Sequence, residues 1–146
     1  MFGDQRPEEF SVDYFNQFAP GALPSFLGFE VTQVENGGIT IEFEVQAHHL
    51  APHGYLHGGT VSALADTCAG YGSLMHVPKS ASGFTTIEFK VSFLGTARQG
   101  RVAGIARPLH IGNSTHVWDV DVRDIEKDKT IARFSCTQLV LYPRQN

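Results

Sequence analysis

Two features of one stretch could do chemistry together: the glycine pair Gly58-Gly59 after His57, and the lone acid Asp66 eight residues on. Adjacent glycines carry no Cβ, so another group can approach their backbone closely. The run His57-Gly58-Gly59-Thr60-Val61-Ser62-Ala63-Leu64-Ala65-Asp66 reads as a turn that opens a helix. The first N–H groups of a helix lack intrahelical acceptors and stand at its positive end, which suits an anion or a polarised carbonyl oxygen. Such donors together with a carboxylate are what acyl transfer needs. One holds the oxyanion; the other attacks or activates water.

Asp66 has no lysine or arginine to pair with anywhere between His57 and Val77, and its neighbours Leu64, Ala65, Cys68 and Ala69 are apolar or small. A carboxylate among such residues is unfavourable unless it is hydrogen-bonded or faces a cavity. A solvent-facing acid on the helix back is the plain alternative, but the helix offers almost no other polar face.

The element that must position both features is that helix. Val61, Leu64, Ala65, Cys68, Ala69 and Gly72 recur at three-and-four spacing, and Pro78 stops the run. The spacing predicts a helix from about Gly58 to about His76. Eight residues of helix separate Gly58 from Asp66 by roughly 12 Å. A short side chain cannot cover that distance to meet a carbonyl held at Gly58. The two features can share one substrate only if Asp66 comes from a second copy across a two-fold axis. The catalytic reading therefore predicts a dimer with two sites at its interface.

A chain of 146 residues fits one domain, here residues 1–146, with an N-terminal helix over about 7–19 and the core over about 23–141. A formal charge of -4 argues against a nucleic-acid or anionic-membrane partner. No apolar run approaches the ~20 residues of a membrane span. The start Met1-Phe2-Gly3-Asp4-Gln5-Arg6-Pro7 lacks the basic-then-apolar pattern of a secretion signal. Cys68 and Cys136 show neither metal-ligand nor CxxC spacing and read as reduced core thiols, which suits a cytoplasmic protein.

Pro7-Glu8-Glu9 has the form of a helix start, and Phe10, Tyr14, Phe15 and Phe18 then share a face that reads as packing. Leu23 to Gly28 is a turn or short helix. Phe29 to Val34 and Ile39 to Val45 read as strands joined by the hairpin signal Asn36-Gly37-Gly38. After the helix, Ile87 to Phe93, Trp118 to Val122 and about Thr130 to Leu141 alternate apolar with polar residues. Arg101 to Ile111 is weaker, because Pro108 marks an edge or a bulge. Clean alternation means one buried face per strand and an antiparallel sheet. The expected class is α+β: a curved antiparallel sheet in the order β-β-α-β-β-β wrapped around one long central helix, with an extra N-terminal helix.

This order, with His57-Gly58-Gly59 and Leu64-Ala65-Asp66, resembles the hotdog-fold acyl-CoA thioesterases of the phenylacetic-acid-degradation (PaaI-like) type. The family pattern runs Asn or Gln, two residues, Gly, two residues, His-Gly-Gly, four residues and Leu-Ala-Asp. Gly54, His57, Gly58, Gly59, Leu64, Ala65 and Asp66 stand in register with it. The resemblance implies hydrolysis of an acyl-CoA or acyl-carrier thioester at the interface of a dimer, often paired into a tetramer. It implies that the Gly58 amide polarises the thioester carbonyl and that Asp66 of the second copy is nucleophile or general base. Thr86 falls where relatives carry the serine or threonine that positions the attacking water. Gly59, Gly54, Ser62, Tyr55 and Arg98 are the expected substrate-binding residues. No metal or separate cofactor is implied; coenzyme A enters only as part of the substrate.

One position departs from the pattern. The family amide falls on Ala51, which has no side-chain donor. His53, His49 or His48 could replace it, His53 first because it precedes Gly54. His57 reads as a fixer of the turn rather than a base. Lys79, Lys90, Arg98, Arg101 and Arg107 are the candidate partners for coenzyme A phosphates. Gly112-Asn113 stands where many relatives carry Arg or Lys after a glycine. Phe26, Tyr55, Tyr71, Met75 and Phe84 could line an acyl tunnel or pack the core. Two other readings compete: a non-catalytic acyl-CoA binding or sensing protein, made plausible by Ala51, and a hydratase or dehydratase on the same fold. His57-Gly58-Gly59 disfavours the latter, because the residues usual in those enzymes are absent.

Overall fold

A computed structural model describes residues 6–144; the N-terminal residues read above for a secretion signal lie mostly outside the described residues. The long helix α3 spans Gly58–His76, the range that the spacing predicts. His57 caps it, its ring accepting from the Gly59 N–H, and Val77 in extended conformation ends it before Pro78. Val61, Leu64, Ala65, Cys68, Ala69 and Gly72, the face given by the spacing, are buried.

Strands β1 (Glu30–Glu35), β2 (Gly38–Glu44), β3 (Gly83–Phe93), β4 (Arg101–Ile111), β5 (Thr115–Asp124) and β6 (Lys129–Leu141) form one antiparallel sheet in the order β1-β2-β4-β5-β6-β3. The sheet curves around α3, as hotdog architecture requires. It holds six strands, one more than the expected order. Arg101–Ile111 is a full inner strand between β2 and β5, and Pro108 sits at a register shift opposite Trp118 rather than at an edge. A proline lacks the N–H for the ladder, and a bulge absorbs that loss.

Close helix–sheet packing depends on missing side chains. A Cβ on Gly104 would stand 2.7 Å from Cys68 Sγ, and one on Gly72 would stand 2.5 Å from Trp118 Cη2. Trp118 is wholly buried and has no room to give. Gly72→Ala is therefore expected to destabilise the fold by about 2–3 kcal/mol. At roughly 2–4 °C per kcal/mol for a chain of this size, thermal melting should show a loss of about 5–10 °C. An unchanged melting temperature would contradict this packing.

The N-terminal helix is shorter than expected. Helix α1 covers only Val12–Asn16, because Ser11 caps it by accepting from the Tyr14 N–H, and Pro7-Glu8-Glu9 lies outside it. Ala19 and Gly21 at positive φ turn the chain away. The aromatic stripe packs as expected: Phe15 is buried and stacks on Tyr71 of α3 at 5.1 Å, and Phe18 meets the same ring edge-on. Tyr71 is thus covered from outside. The short helix α2 (Leu23–Phe26) leads into β1. Both cysteines are buried free thiols, and burial pushes the Cys136 pKa up to about 12.

Strand β3 lies at one end of the sheet and, among the described strands, pairs with β6 alone. Ile87, Phe89, Phe93 and the adjoining Leu94 are each at least half exposed. A long apolar edge of this kind is a template for another strand unless something covers it.

Candidate active site

The residues singled out above fall into two groups on one protomer. The first surrounds the start of α3. Ala51, Gly54 and Tyr55 form a tight turn in which the Ala51 N–H donates to Tyr55 O and the Gly54 N–H to Ala51 O, with Gly54 at φ +81. Leu56 N–H then donates to Ala97 O and His57 N–H to His49 O, which fix the approach to the helix. Thr60 locks the first turn by donating its hydroxyl to His49 O. Phe93 packs against Gly58, where a Cβ would stand 3.0 Å from its ring.

This arrangement distinguishes the two glycine donors. The Gly59 N–H is engaged by His57 Nδ1 at 2.7 Å, so Gly59, expected among the substrate-binding residues, has no free N–H to give. His57 is a cap, as its position suggested. Among the described residues the Gly58 N–H has no acceptor and opens at the helix N-terminus. It is the donor available to a carbonyl oxygen.

The three histidines considered as replacements for the missing amide differ sharply. His49 is wholly buried: its Nδ1 accepts from the Gln46 N–H and its Nε2–H donates to Leu27 O. Burial holds its pKa below the ordinary imidazole range, and both ring nitrogens are occupied. His49 is therefore a structural residue and no substrate donor. His48 faces Phe26 and lines a separate cleft with Glu30, Glu44 and Arg101. His53 is exposed, 5.4 Å from the Tyr55 ring, and the Arg98 guanidinium lies 4.0 Å over that same ring. His53 and Arg98 thus both adjoin Tyr55, two residues before the cap of α3. A cation over a tyrosine face is held in place without losing its charge. Among the cations proposed for coenzyme A, Arg101 is already paired with Glu42 at 3.0 Å and Glu30 at 4.0 Å, which removes it. Lys79, Lys90 and Arg107 are exposed.

The second group lies two turns up the helix. Asp66 is partly buried, and the Thr86 hydroxyl donates to its Oδ1 at 2.8 Å. That bond supplies what the carboxylate lacks in sequence, since no cation is near it in the chain. Ser62 lies one turn before Asp66 on the same side of α3. Behind the pair stands Gln138 of β6, which the reading by motif missed. It is wholly buried and its Nε2 lies 3.4 Å from Thr86 Oγ1. A signal existed: along β6 the inward positions Ala132, Phe134, Cys136 and Val140 are apolar, and Gln138 alone among them is polar. In β5 two of the inward positions are polar, Asp124 at one end of the row and His116 at the other. His116 is buried with Trp118 around Ser73: Trp118 Nε1–H donates to Ser73 Oγ at 2.7 Å, and His116 Nδ1 lies 3.0 Å from it.

Comparison with known proteins agrees with the hotdog scaffold that carries these two groups. The model of the thioesterase superfamily matches residues 53–131, which include the Gly58 turn, Asp66 and Thr86. The chain belongs to this superfamily. A 1,4-dihydroxy-2-naphthoyl-CoA hydrolase of Listeria monocytogenes is 32% identical over 123 residues, covering 84% of this chain and 98% of the relative. Among solved structures, a mutant of the thioesterase PA1618 from Pseudomonas aeruginosa superposes with a TM-score of 0.85 at 26% identity, covering 97% of this chain and 99% of that one. A mutant of the phenylacetic acid degradation protein PaaI from Thermus thermophilus superposes with a TM-score of 0.73 at 27% identity, covering 81% and 97%. The PaaI-like resemblance read from His57-Gly58-Gly59 and Asp66 is borne out.

Proposed function

We propose that this protein hydrolyses an acyl-CoA, or acyl-carrier, thioester to the free acid and thiol, in a site shared between two copies of the chain. The observation that carries this reading is the separation of its two halves. Gly58 and Asp66 lie on one unbroken helix, roughly 12 Å apart by its rise. An antiparallel second copy brings Asp66 of one protomer to Gly58 of the other. The uncovered β3 edge, with Ile87, Phe89, Phe93 and Leu94 beside it, is the surface that a second copy would cover.

In that arrangement the Gly58 N–H holds the thioester oxygen and stabilises the negative charge that develops there. The Asp66 carboxylate of the other protomer either attacks the carbonyl carbon or takes a proton from water that does so. In the general-base route the carbon–sulfur bond breaks as water adds, and the proton that Asp66 took from the water passes to the departing thiolate. In the covalent route the thiolate leaves as a mixed anhydride with Asp66 forms. Water then hydrolyses that anhydride, restoring the carboxylate and supplying the proton of the thiol. Thr86 has one hydroxyl hydrogen, and Asp66 Oδ1 holds it. Thr86 therefore aims the carboxylate and meets water only as an acceptor. Arg98, stacked on Tyr55, is the cation placed to meet the anionic nucleotide end of coenzyme A. Coenzyme A acts as substrate, and no other cofactor takes part. The cell compartment this reading fits is the cytoplasm, where acyl-CoA is made and used.

The test is thiol release from acetyl-, palmitoyl-, benzoyl- and 1,4-dihydroxy-2-naphthoyl-CoA; the last is chosen for the name of the Listeria relative. Turnover of at least one is expected. The second reading, a non-catalytic acyl-CoA binder, draws on Ala51, whose backbone N–H is also spent on Tyr55 O. Binding of all four without release of thiol would favour it. A single turnover in ¹⁸O-labelled water separates the two chemical routes: label in Asp66 itself identifies the covalent one.

A further inference from the structure

Gln138 and Thr86 stand opposite one another in the β6–β3 register, immediately before a shift in that register. Such a bulge re-aims the side chains next to it. Thr86 Oγ1 is the meeting point of two bonds: it donates to Asp66 Oδ1 at 2.8 Å, and Gln138 Nε2 approaches it at 3.4 Å. A hydroxyl has one hydrogen and two lone pairs and turns freely unless both roles are assigned. An N–H aimed at Thr86 Oγ1 occupies a lone pair, and the hydroxyl hydrogen is then left to point at the carboxylate. The opposite amide orientation would set Gln138 Oε1 against Asp66 in competition for the one hydrogen.

Gln138 keeps this post at a cost. It has no exposed surface, and among the described residues its Oε1 has no hydrogen-bond partner. An apolar side chain of similar length would pack there without leaving an unpaired carbonyl. Beside it Trp118 Nε1–H and His116 Nδ1 meet at Ser73 Oγ, whereas His116 Nε2, on the residue opposite Gln138 in the β5–β6 register, is likewise without a partner among the described residues.

We propose that Gln138 is a positioning residue for the hydrolysis described above: it fixes the Thr86 hydroxyl so that the Asp66 carboxylate is presented in one orientation. The proposal rests on the hydrolytic reading for its kinetic consequence, but its geometric core does not. Gln138→Met keeps the length and removes the donor; Gln138→Asn keeps the amide but falls a methylene short, and serves if the first variant does not fold. On the most rapidly cleaved of the four thioesters, either change is expected to lower kcat about tenfold, the effect of one hydrogen bond to a working group, with KM little altered. In a Thr86→Ala background the same change is expected to do nothing further, because Gln138 then has nothing to orient. A crystal structure of either variant should show Thr86 Oγ1 turned out of hydrogen-bond reach of Asp66. An additive loss in the Thr86→Ala background, or an undisturbed Thr86–Asp66 bond in the variant crystals, overturns the proposal. If the unaltered protein cleaves none of the thioesters, the hydrolytic reading fails by itself, and the crystals still decide what Gln138 does.

Discussion

Asp66→Asn is expected to lower turnover by about 10³-fold, within the ~10²–10⁴ range of a lost general base, while substrate binding changes little. Asparagine has nearly the same shape and keeps a carbonyl oxygen able to accept from Thr86 Oγ1, so the fold and the local bond survive. What it loses is the negative charge, which both chemical routes need. The change should therefore fall on kcat rather than KM. Steady-state kinetics on purified protein measures this, with thermal melting as the control. Equal turnover by the two proteins would remove Asp66 from the chemistry.

Gly58→Pro is the second large effect. Gly58 is the first residue of α3, after the cap His57, and proline is tolerated at that position because its N–H would have no intrahelical partner. His57 already has the extended backbone that a following proline favours. The substitution thus deletes the proposed oxyanion donor without breaking the helix, and kcat should fall by about 10²–10³-fold. Gly58→Ala is its control. It creates the same contact with the half-exposed ring of Phe93 but retains the N–H. Activity that survives Gly58→Ala and disappears in Gly58→Pro assigns the loss to the donor. Similar losses in both would assign it to crowding at Phe93.

Much of this architecture was legible before any coordinates. The three-and-four spacing from Val61 to Gly72, closed by Pro78, located α3, because nothing else in the chain competes for that face. The alternation in β2, β5 and β6 located strands with one buried side. Sequence failed where a local signal met a tertiary one. Pro108 was read as an edge or a bulge: the bulge is present, and what the local signal could not decide is that β4 lies inside the sheet, between β2 and β5. Pro7-Glu8-Glu9 looked like a helix start, but Ser11 is the residue whose side chain caps α1. In the site, motif spacing found Gly58 and Asp66. It could not show that the Gly59 N–H is taken by His57, or that both ring nitrogens of His49 are occupied, since each depends on side-chain geometry. Gln138 and His116 were visible as polar residues in mostly apolar rows, but only once the inward face of each strand was known.

The most direct measurement mixes two inactive proteins. Asp66→Asn retains the Gly58 donor, and Gly58→Pro retains the acid. Unfolded and refolded together in equal amounts, or co-expressed, they should give mixed dimers in which one site joins the intact glycine of one chain to the intact acid of the other. Random pairing then restores roughly one quarter of the unaltered activity, from two proteins that have almost none alone. A mixture no more active than its parts, with mixed dimers shown to be present, would mean that the glycine and the acid do not meet across two chains.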